Sequence, residues 1–273
     1  MEDCNILFTA VGRRVSLLKS FRKAMDSLKL KGDIFAADAG LSSAASFVAD
    51  YKVRMPKVSS PNYIETLKKF CVDKNIKLVI SLIDTDLILL SKYKQEFLEL
   101  GITILVCDES TNIICFDKLN SYSFFVENSI KTPHVLSESE IEGVTQNELP
   151  LIIKPWDGSC SVGVNSVSTM EEFLFHKNNT YHPMVQKILK GEEYTCDVYV
   201  DLNGKIRCIV PRMRLETRAG EVSKGLTVND EQVINAVYDC VNKLPHAIGC
   251  ITVQCFKQLD GEVSFIEINP RFG

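Results

Sequence analysis

The stretch SFIEINPRFG (residues 264–273) places polar side chains inside an apolar strand pattern. Phe265, Ile266 and Ile268 are typical of a buried strand, yet Glu267 and Asn269 lie among them. Residues two apart in a strand point to the same face of a sheet. The pattern therefore predicts a strand that carries a carboxylate and an amide on one face, beside a buried surface.

The residues before this stretch predict a second strand paired with it. In GCITVQCFKQLDGEVSFIEINPRFG (249–273), Asp-Gly near the middle is typical of a hairpin turn, because glycine reaches positive φ angles. Gln254 then faces Glu267 and Asn269 across the two strands. Three oxygen donors at one point suit Mg²⁺, which prefers hard oxygen ligands and shares its shell with phosphates. The alternative, an exposed Glu267 on an edge strand, fits poorly with its apolar neighbours.

Composition indicates a folded protein without a nucleic-acid or membrane partner. The 273 residues are 45% hydrophobic and carry a net charge of −4, with no long block of like charge. No apolar run approaches the roughly 20 residues of a membrane span, and the N-terminus does not resemble a secretory signal. The ten cysteines form no CxxC pair, so they predict reduced thiols and a cytoplasmic location.

The first hundred residues alternate short apolar strands with amphipathic helices, which predicts βαβ units and a parallel, Rossmann-like sheet. The predicted strands are 5–10, 33–39, 77–83 and 103–107, and the predicted helices are 13–28, 62–74 and 86–100.

The second half predicts a mixed, mainly antiparallel α+β fold. One helix is expected over about 111–128, and the chain becomes strand-rich from Leu149, with one further helix over about 229–243. DLNG (201–204) and QLDG (258–261) are typical of hairpin turns.

Residues 9–14, TAVGRR, follow a strand and open a helix, but they lack G-x-G-x-x-G. Either the turn presents backbone N–H groups to an anion, or Arg13 and Arg14 are simply solvated. The sequence leaves both interpretations open.

IIKPWDGSCSVGVNSV (152–167) places Lys154 at the end of an apolar strand, before a loop rich in glycine and serine. Small residues let a backbone approach phosphates closely, and the lysine adds a point charge. A β-hairpin with a flexible tip explains the pattern as well.

Two further stretches carry polar residues in strand patterns. Gln186 ends one predicted strand and Glu193 begins the next, and either the pair borders a pocket or both are solvated strand ends. Arg212 and Arg214 alternate, so they share a face. That face either is exposed to water or binds a polyphosphate, because guanidinium groups bind phosphate bidentately.

In this order, the segments resemble an ATP-grasp enzyme, most closely the carbamoyl-phosphate synthase large-chain-like branch. The resemblance covers nearly the whole chain and includes CFDKLNSYSFF (115–125), IIKPWDGSCSVGV (152–164), VQKILKGEEYTCDVY (185–199) and FIEINPR (265–271). It implies a Rossmann-like pre-ATP-grasp domain over 1–110 and an ATP-grasp domain over 111–273. The two lobes of that domain would be a small lid lobe over about 120–185 and a large lobe over about 186–273.

The resemblance also implies a role for each matching residue. Lys118 and Lys154 would contact the nucleotide, and the glycine-rich loop would hold phosphates through Gly158, Ser159, Ser161 and Gly163. The adenine edge would lie against Gln186, Lys187 and Ile188, and Glu193 would bind the ribose. Arg212, Arg214 and Arg271 would act on the transferred phosphoryl group. Gln254, Glu267 and Asn269 would hold Mg²⁺, or Mn²⁺ in its place.

The implied chemistry is phosphorylation of a small carboxylate by ATP, followed by attack of an amine on the acyl phosphate. Small-molecule substrates are therefore the expected partners, with a homodimer as the expected assembly. Family members continue beyond the position of Gly273, so the C-terminal end is expected to be incomplete. A nucleotide-binding protein without turnover is the alternative, and a nicotinamide-dependent oxidoreductase fits poorly because its glycine fingerprint is absent.

Overall fold

A computed structural model describes residues 4–157, 162–218 and 221–273. The chain forms two compact units, Met1–Asn112 and Ile113–Gly273. The first unit contains a parallel sheet, and the second contains two antiparallel sheets. Among the described helices, none is both long and apolar enough to cross a membrane.

The first unit alternates strands with helices. Its elements are β1 (Asn5–Thr9), α1 (Val15–Ser27), β2 (Ile34–Asp38), a 3₁₀ turn (Ala44–Phe47), β3 (Tyr51–Arg54), α2 (Tyr63–Asp73), β4 (Ile76–Ser81), α3 (Asp84–Glu99) and β5 (Thr103–Ile104).

The strands of this unit form one parallel sheet in the order β3-β2-β1-β4-β5. Consecutive residues of β1 and β4 are buried, because a parallel sheet is covered on both faces by the crossover helices. Leu67 of α2 and Leu90 of α3 lie in the same core cluster as Leu7 and Val79 of the sheet. The unit therefore has the predicted Rossmann-like architecture.

The chain enters the second unit within α4 (Glu109–Phe116). The elements that follow are α5 (Lys118–Glu127), α6 (Glu138–Glu142), a 3₁₀ turn (Gln146–Glu148), β6 (Leu151–Pro155), β7 (Asn165–Val167), α7 (Met170–Asn179), β8 (Pro183–Lys187), β9 (Glu192–Val200), β10 (Ile206–Arg218), β11 (Glu221–Thr227), α8 (Glu231–Asn242), β12 (Gly249–Lys257) and β13 (Val263–Asn269).

Two antiparallel sheets organise this unit. The smaller has the order β7-β6-β8, and α7 packs against β6 and β7. The larger, which we term the central sheet, has the order β11-β10-β9-β12-β13. Its strands alternate buried apolar residues with polar ones, and α8 contacts β10 and β13. Because strand residues alternate between faces, the central sheet has one apolar face and one polar face.

The predicted class, α/β followed by α+β, is confirmed, and both predicted hairpin turns join paired strands. The single helix predicted over 111–128 was wrong, because the chain breaks at Asp117. This residue is extended and its side chain accepts hydrogen bonds from the N–H groups of Leu119 and Asn120, so it begins a new helix, α5.

The sequence analysis predicted none of β3, α6, α7 and β11. The strand β3 is a short edge strand with little apolar alternation. The helix α7 begins with a capping box between Thr169 and Glu172 and buries little more than Phe173, so its apolar periodicity is weak. The boundary expected between lobes at 185/186 falls inside β8.

Candidate functional site

The polar face of the central sheet gathers the oxygen donors predicted from the sequence. Gln254 of β12 lies opposite Glu267 of β13, and Thr252 lies opposite Asn269. Thr195 of β9 is the neighbour of Gln254 on its other side. Antiparallel partners share a face, so Gln254, Glu267 and Asn269 lie on the same face of the hairpin.

Arg214 is fixed on this face by two acceptors. Its side chain is 6% exposed, and Nη1 lies 3.1 Å from Glu193 Oε1 and donates to Gln254 Oε1 at 3.1 Å. Burial raises the pKa of Glu193, and the positive charge of Arg214 acts in the opposite direction. Arg214 therefore orients both a predicted ribose ligand and a predicted metal ligand.

Arg212 lies beside Thr195 in the register of β10 and β9. Its guanidinium donates to Asp197 through Nε, at 2.6 Å from Oδ2, and through Nη2, at 3.1 Å from Oδ1. The Arg212 side chain is 31% exposed, so it remains accessible from the polar face.

Arg271 folds back towards the end of β13. Its Nη2 donates to Asn269 Oδ1 at 3.4 Å, and its carbonyl oxygen accepts from Thr252 Oγ1 at 3.1 Å. The structure thus brings Arg271 next to one of the predicted metal ligands.

Lys154, at the end of β6, is electrostatically coupled to the polar face. It is 9% exposed, and its pKa is lowered to about 8, mainly by burial. The charge of Lys118 contributes to this lowering, and the charge of Glu267 acts in the opposite direction. The backbone N–H of Lys118 also donates to the carbonyl of Trp156 at 3.1 Å, which joins the start of α5 to the end of β6. The charges of Lys118 and Glu267 therefore both act on Lys154.

The predicted adenine-binding segment belongs to the smaller sheet. Gln186 is buried on β8, and its Nε2 donates to the carbonyl of Pro133 at 3.1 Å. The N–H of Lys187 donates to the carbonyl of His134 at 3.0 Å, and Ile188 follows half-buried. These groups tie β8 to residues 133–135, so the Gln186 side chain already has a structural partner.

The predicted phosphate loop is described only at its margins. Gly158, Ser159 and Ser161 lie outside the described residues. Gly163 has φ +75°, and a Cβ there would lie 3.1 Å from ring carbons of Pro155. A larger residue at 163 would press on the ring of Pro155, the last residue of β6, and would be strained by the positive φ.

The donors on the polar face fit a magnesium ion. Glu267 supplies a carboxylate, and Gln254 and Asn269 supply amide oxygens whose second lone pairs remain available beside their arginine contacts. Mg²⁺ usually takes one or two protein carboxylates and completes its shell with water and phosphate. Within the described ranges, no three His, Cys, Asp or Glu side chains could hold a metal ion together.

The sequence analysis missed three polar residues of this face, which are Thr195, Asp197 and Thr252. Thr195 and Thr252 are buried, and Asp197 contacts Arg212. The available signal was the alternation in EEYTCDVYV, which puts Glu193, Thr195 and Asp197 on one face.

Comparison with known families accounts for most of the chain. The family described as "ATP-grasp domain" matches residues 115–273, and the family described as "PylC-like, N-terminal domain" matches residues 6–105.

The individual curated proteins that match this chain have low sequence identity to it. A D-alanine–D-alanine ligase of Bacillus anthracis is 26% identical over 155 residues, which are 54% of this chain and 49% of the relative. The chain thus spans about half the length of the curated relatives it matches.

Solved structures show the same fold. The L-amino acid ligase of Bacillus licheniformis superimposes with a TM-score of 0.73 at 16% identity, covering 100% of this chain and 68% of that one. The biotin carboxylase domain of Hydrogenobacter thermophilus 2-oxoglutarate carboxylase, in complex with MgADP, ADP and bicarbonate, gives a TM-score of 0.74 at 14% identity, covering 100% and 65%.

Proposed function

Because the chain belongs to the ATP-grasp domain family, we propose that it is an ATP- and Mg²⁺-dependent carboxylate–amine ligase that acts through an acyl phosphate. Within the family we propose the carbamoyl-phosphate synthase large-chain-like branch, on the resemblance of segments such as FIEINPR (265–271). The observation that carries the proposal is the polar face of the central sheet. It combines oxygen donors at Gln254, Glu267 and Asn269 with two arginines, beside a lysine coupled to Glu267.

In this proposal the nucleotide phosphates lie between Lys154 and the polar face. Lys154 and Lys118 would offset phosphate charge, and the amide and carboxylate oxygens of Gln254, Glu267 and Asn269 would hold Mg²⁺. The ion would supply positive charge against the negative charge that develops during phosphoryl transfer. Glu193 would bind the ribose, while Arg214 keeps its carboxylate oriented.

The reaction has two steps. A carboxylate oxygen of the substrate attacks the γ-phosphorus of ATP, so that ADP leaves and an acyl phosphate forms. An amine nitrogen then attacks the acyl carbon, phosphate leaves, and the nitrogen loses a proton. Arg212, Arg214 and Arg271 would stabilise the phosphoryl oxygens in both steps, because guanidinium groups stay charged and bind phosphate bidentately.

We also propose the domain limits that the sequence predicts. Residues 1–110 would be the pre-ATP-grasp domain and 111–273 the ATP-grasp domain. The lobe carrying β6, β7 and β8 would act as the lid.

Trapping the acyl phosphate tests this function. The protein is incubated with MgATP, pools of amino acids and other small carboxylates, and hydroxylamine, and both ADP and hydroxamate are measured. Ligase activity gives equal amounts of ADP and hydroxamate with at least one pool, and none with Glu267→Gln. Tight nucleotide binding without ADP from any pool would favour the alternative, a nucleotide-binding protein without turnover.

A further inference from the structure

Asp197 lies on the polar face of the central sheet and has no role in the mechanism above. It is held in the middle of β9, between β10 and β12. Its carboxylate accepts from Arg212 Nε at 2.6 Å and from Nη2 at 3.1 Å. A two-point contact of this kind fixes the plane of the guanidinium as well as its position.

The contact uses one edge of the guanidinium. Nε and Nη2 face Asp197, whereas the edge formed by Nη1 and the second N–H of Nη2 is not engaged by it. That second edge can bind two oxygens of a phosphoryl group. With its side chain 31% exposed, Arg212 can reach a ligand on the polar face without leaving Asp197.

The two arginines of β10 are therefore held differently. The Arg214 side chain is 6% exposed, and one nitrogen, Nη1, contacts both Glu193 and Gln254. Arg214 therefore fixes the positions of these two side chains. Arg212 contacts a carboxylate that is itself 43% exposed. Arg212 is thus the better placed of the two to contact a transferred group.

Residue 273 also lies close to Asp197. A Cβ on Gly273 would lie 3.2 Å from Asp197 Oδ1 and 3.0 Å from Thr252 Oγ1. Oδ1 is also the atom that accepts from Arg212 Nη2. The backbone at 273 therefore lies beside the same carboxylate oxygen that contacts Arg212.

From this geometry we infer that Asp197 is a positioning residue, which holds Arg212 so that its second edge meets the phosphoryl group during transfer. The inference rests on the proposed function. Asp197 itself does not touch the reacting atoms. Its removal should weaken binding of the transferring phosphoryl group and leave binding of the nucleotide diphosphate intact.

The experiment measures affinity for MgADP alone and for MgADP with aluminium fluoride, which imitates the phosphoryl group in transfer. Asp197→Asn keeps the size of the side chain and removes its charge. Asp201→Asn is the matched control, because Asp201 makes a similar contact, 2.6 Å from Arg207 Nε to Oδ2, at the turn of the same β9–β10 hairpin. Calorimetry gives both affinities for each variant.

We expect Asp197→Asn to lower affinity for the aluminium fluoride complex by about tenfold, the loss of one charge-assisted contact, with MgADP affinity unchanged. Asp201→Asn should change neither. In an Arg212→Lys background, Asp197→Asn should have little further effect, because the aspartate acts through that guanidinium.

Equal losses of both affinities in Asp197→Asn, or no loss in either, would overturn the positioning role. A full additional loss in the Arg212→Lys background would also overturn it. If the wild-type protein fails to bind MgADP, the proposed function fails, and this inference fails with it.

Discussion

Lys154 is a buried lysine, and its burial disfavours the charged form of the side chain. Burial and the nearby charge of Lys118 both lower its pKa, to about 8, against the ordinary value of 10.5, and Glu267 opposes them only in part. Between these two pH values the unfolded chain keeps a proton that the folded chain releases. The contribution of Lys154 to the free energy of unfolding therefore rises with pH from about 8 to 10.5.

Nucleotide binding should change the protonation of Lys154. Phosphate charge favours charged Lys154, so binding above pH 8 should take up a proton, and ATP affinity should fall by up to about tenfold per pH unit. Lys154→Met should bind ATP more weakly and lose this slope. Lys205→Met, at an exposed lysine of the β9–β10 turn, should keep both affinity and slope.

Titration calorimetry from pH 7 to 10, in buffers of different ionisation enthalpy, measures affinity and proton uptake together. A Lys154→Met protein with wild-type ATP affinity would show that this lysine does not face the phosphates.

Glu267 is the single carboxylate among the predicted metal ligands. Glu267→Gln is nearly isosteric, so the fold should persist while the gain in ATP affinity on adding Mg²⁺ is largely lost, because a neutral amide binds Mg²⁺ more weakly. Nucleotide titrations with and without Mg²⁺ measure this gain, and circular dichroism checks the fold. A full Mg²⁺ response in the variant would place the metal elsewhere.

At the scale of elements, the chain between β8 and β9 passes very close to β12. Gly191 has φ +152°, and a Cβ there would lie 2.1 Å from the carbonyl oxygen of Lys257. No side chain fits at that distance, so a glycine is required where the smaller sheet connects to the central sheet. This close approach precedes Glu193 by two residues and helps to set where β9 begins.

Gly191→Ala should therefore destabilise the protein by about 3 kcal/mol or more, since backbone atoms must move. Gly204→Ala is the matched control, because Gly204 also has a positive φ, +77°, but nothing within 4 Å of a Cβ. It should cost about 1 kcal/mol, the strain of the backbone conformation alone. Urea unfolding of both variants measures the difference, and equal losses would rule out the steric cause.

At the scale of the whole molecule, the proposed site depends on elements far apart in sequence. The charges of Lys118 and Glu267 both act on Lys154, although about 150 residues of chain separate Lys118 from Glu267. Ligands that bind only the folded state stabilise it by mass action.

A non-hydrolysable ATP analogue with Mg²⁺ should therefore raise the free energy of unfolding, by about 2.7 kcal/mol at a hundred times its dissociation constant. Differential scanning calorimetry over a range of analogue concentrations measures the effect. The stabilisation by a non-hydrolysable GTP analogue serves as the comparison. An unchanged midpoint at saturating analogue would contradict nucleotide binding.

The sequence by itself determined the fold class and most elements, because strand and helix periodicities are local and the apolar residues of this chain follow them. It also predicted that Gln254, Glu267 and Asn269 share a face, since the Asp260-Gly261 turn sets which residues of β12 and β13 lie opposite. Asp117 shows the limit of periodicity, because its capping contacts interrupt an apolar pattern that continues on both sides.

Only the tertiary structure decided which charged groups meet. The contacts of Arg212 with Asp197, and of Arg214 with Glu193 and Gln254, depend on β10 and β12 flanking β9. The pKa of Lys154 likewise depends on how deeply β6 buries it. Strand order and burial arise from packing between distant segments, and no local pattern in the sequence encodes them.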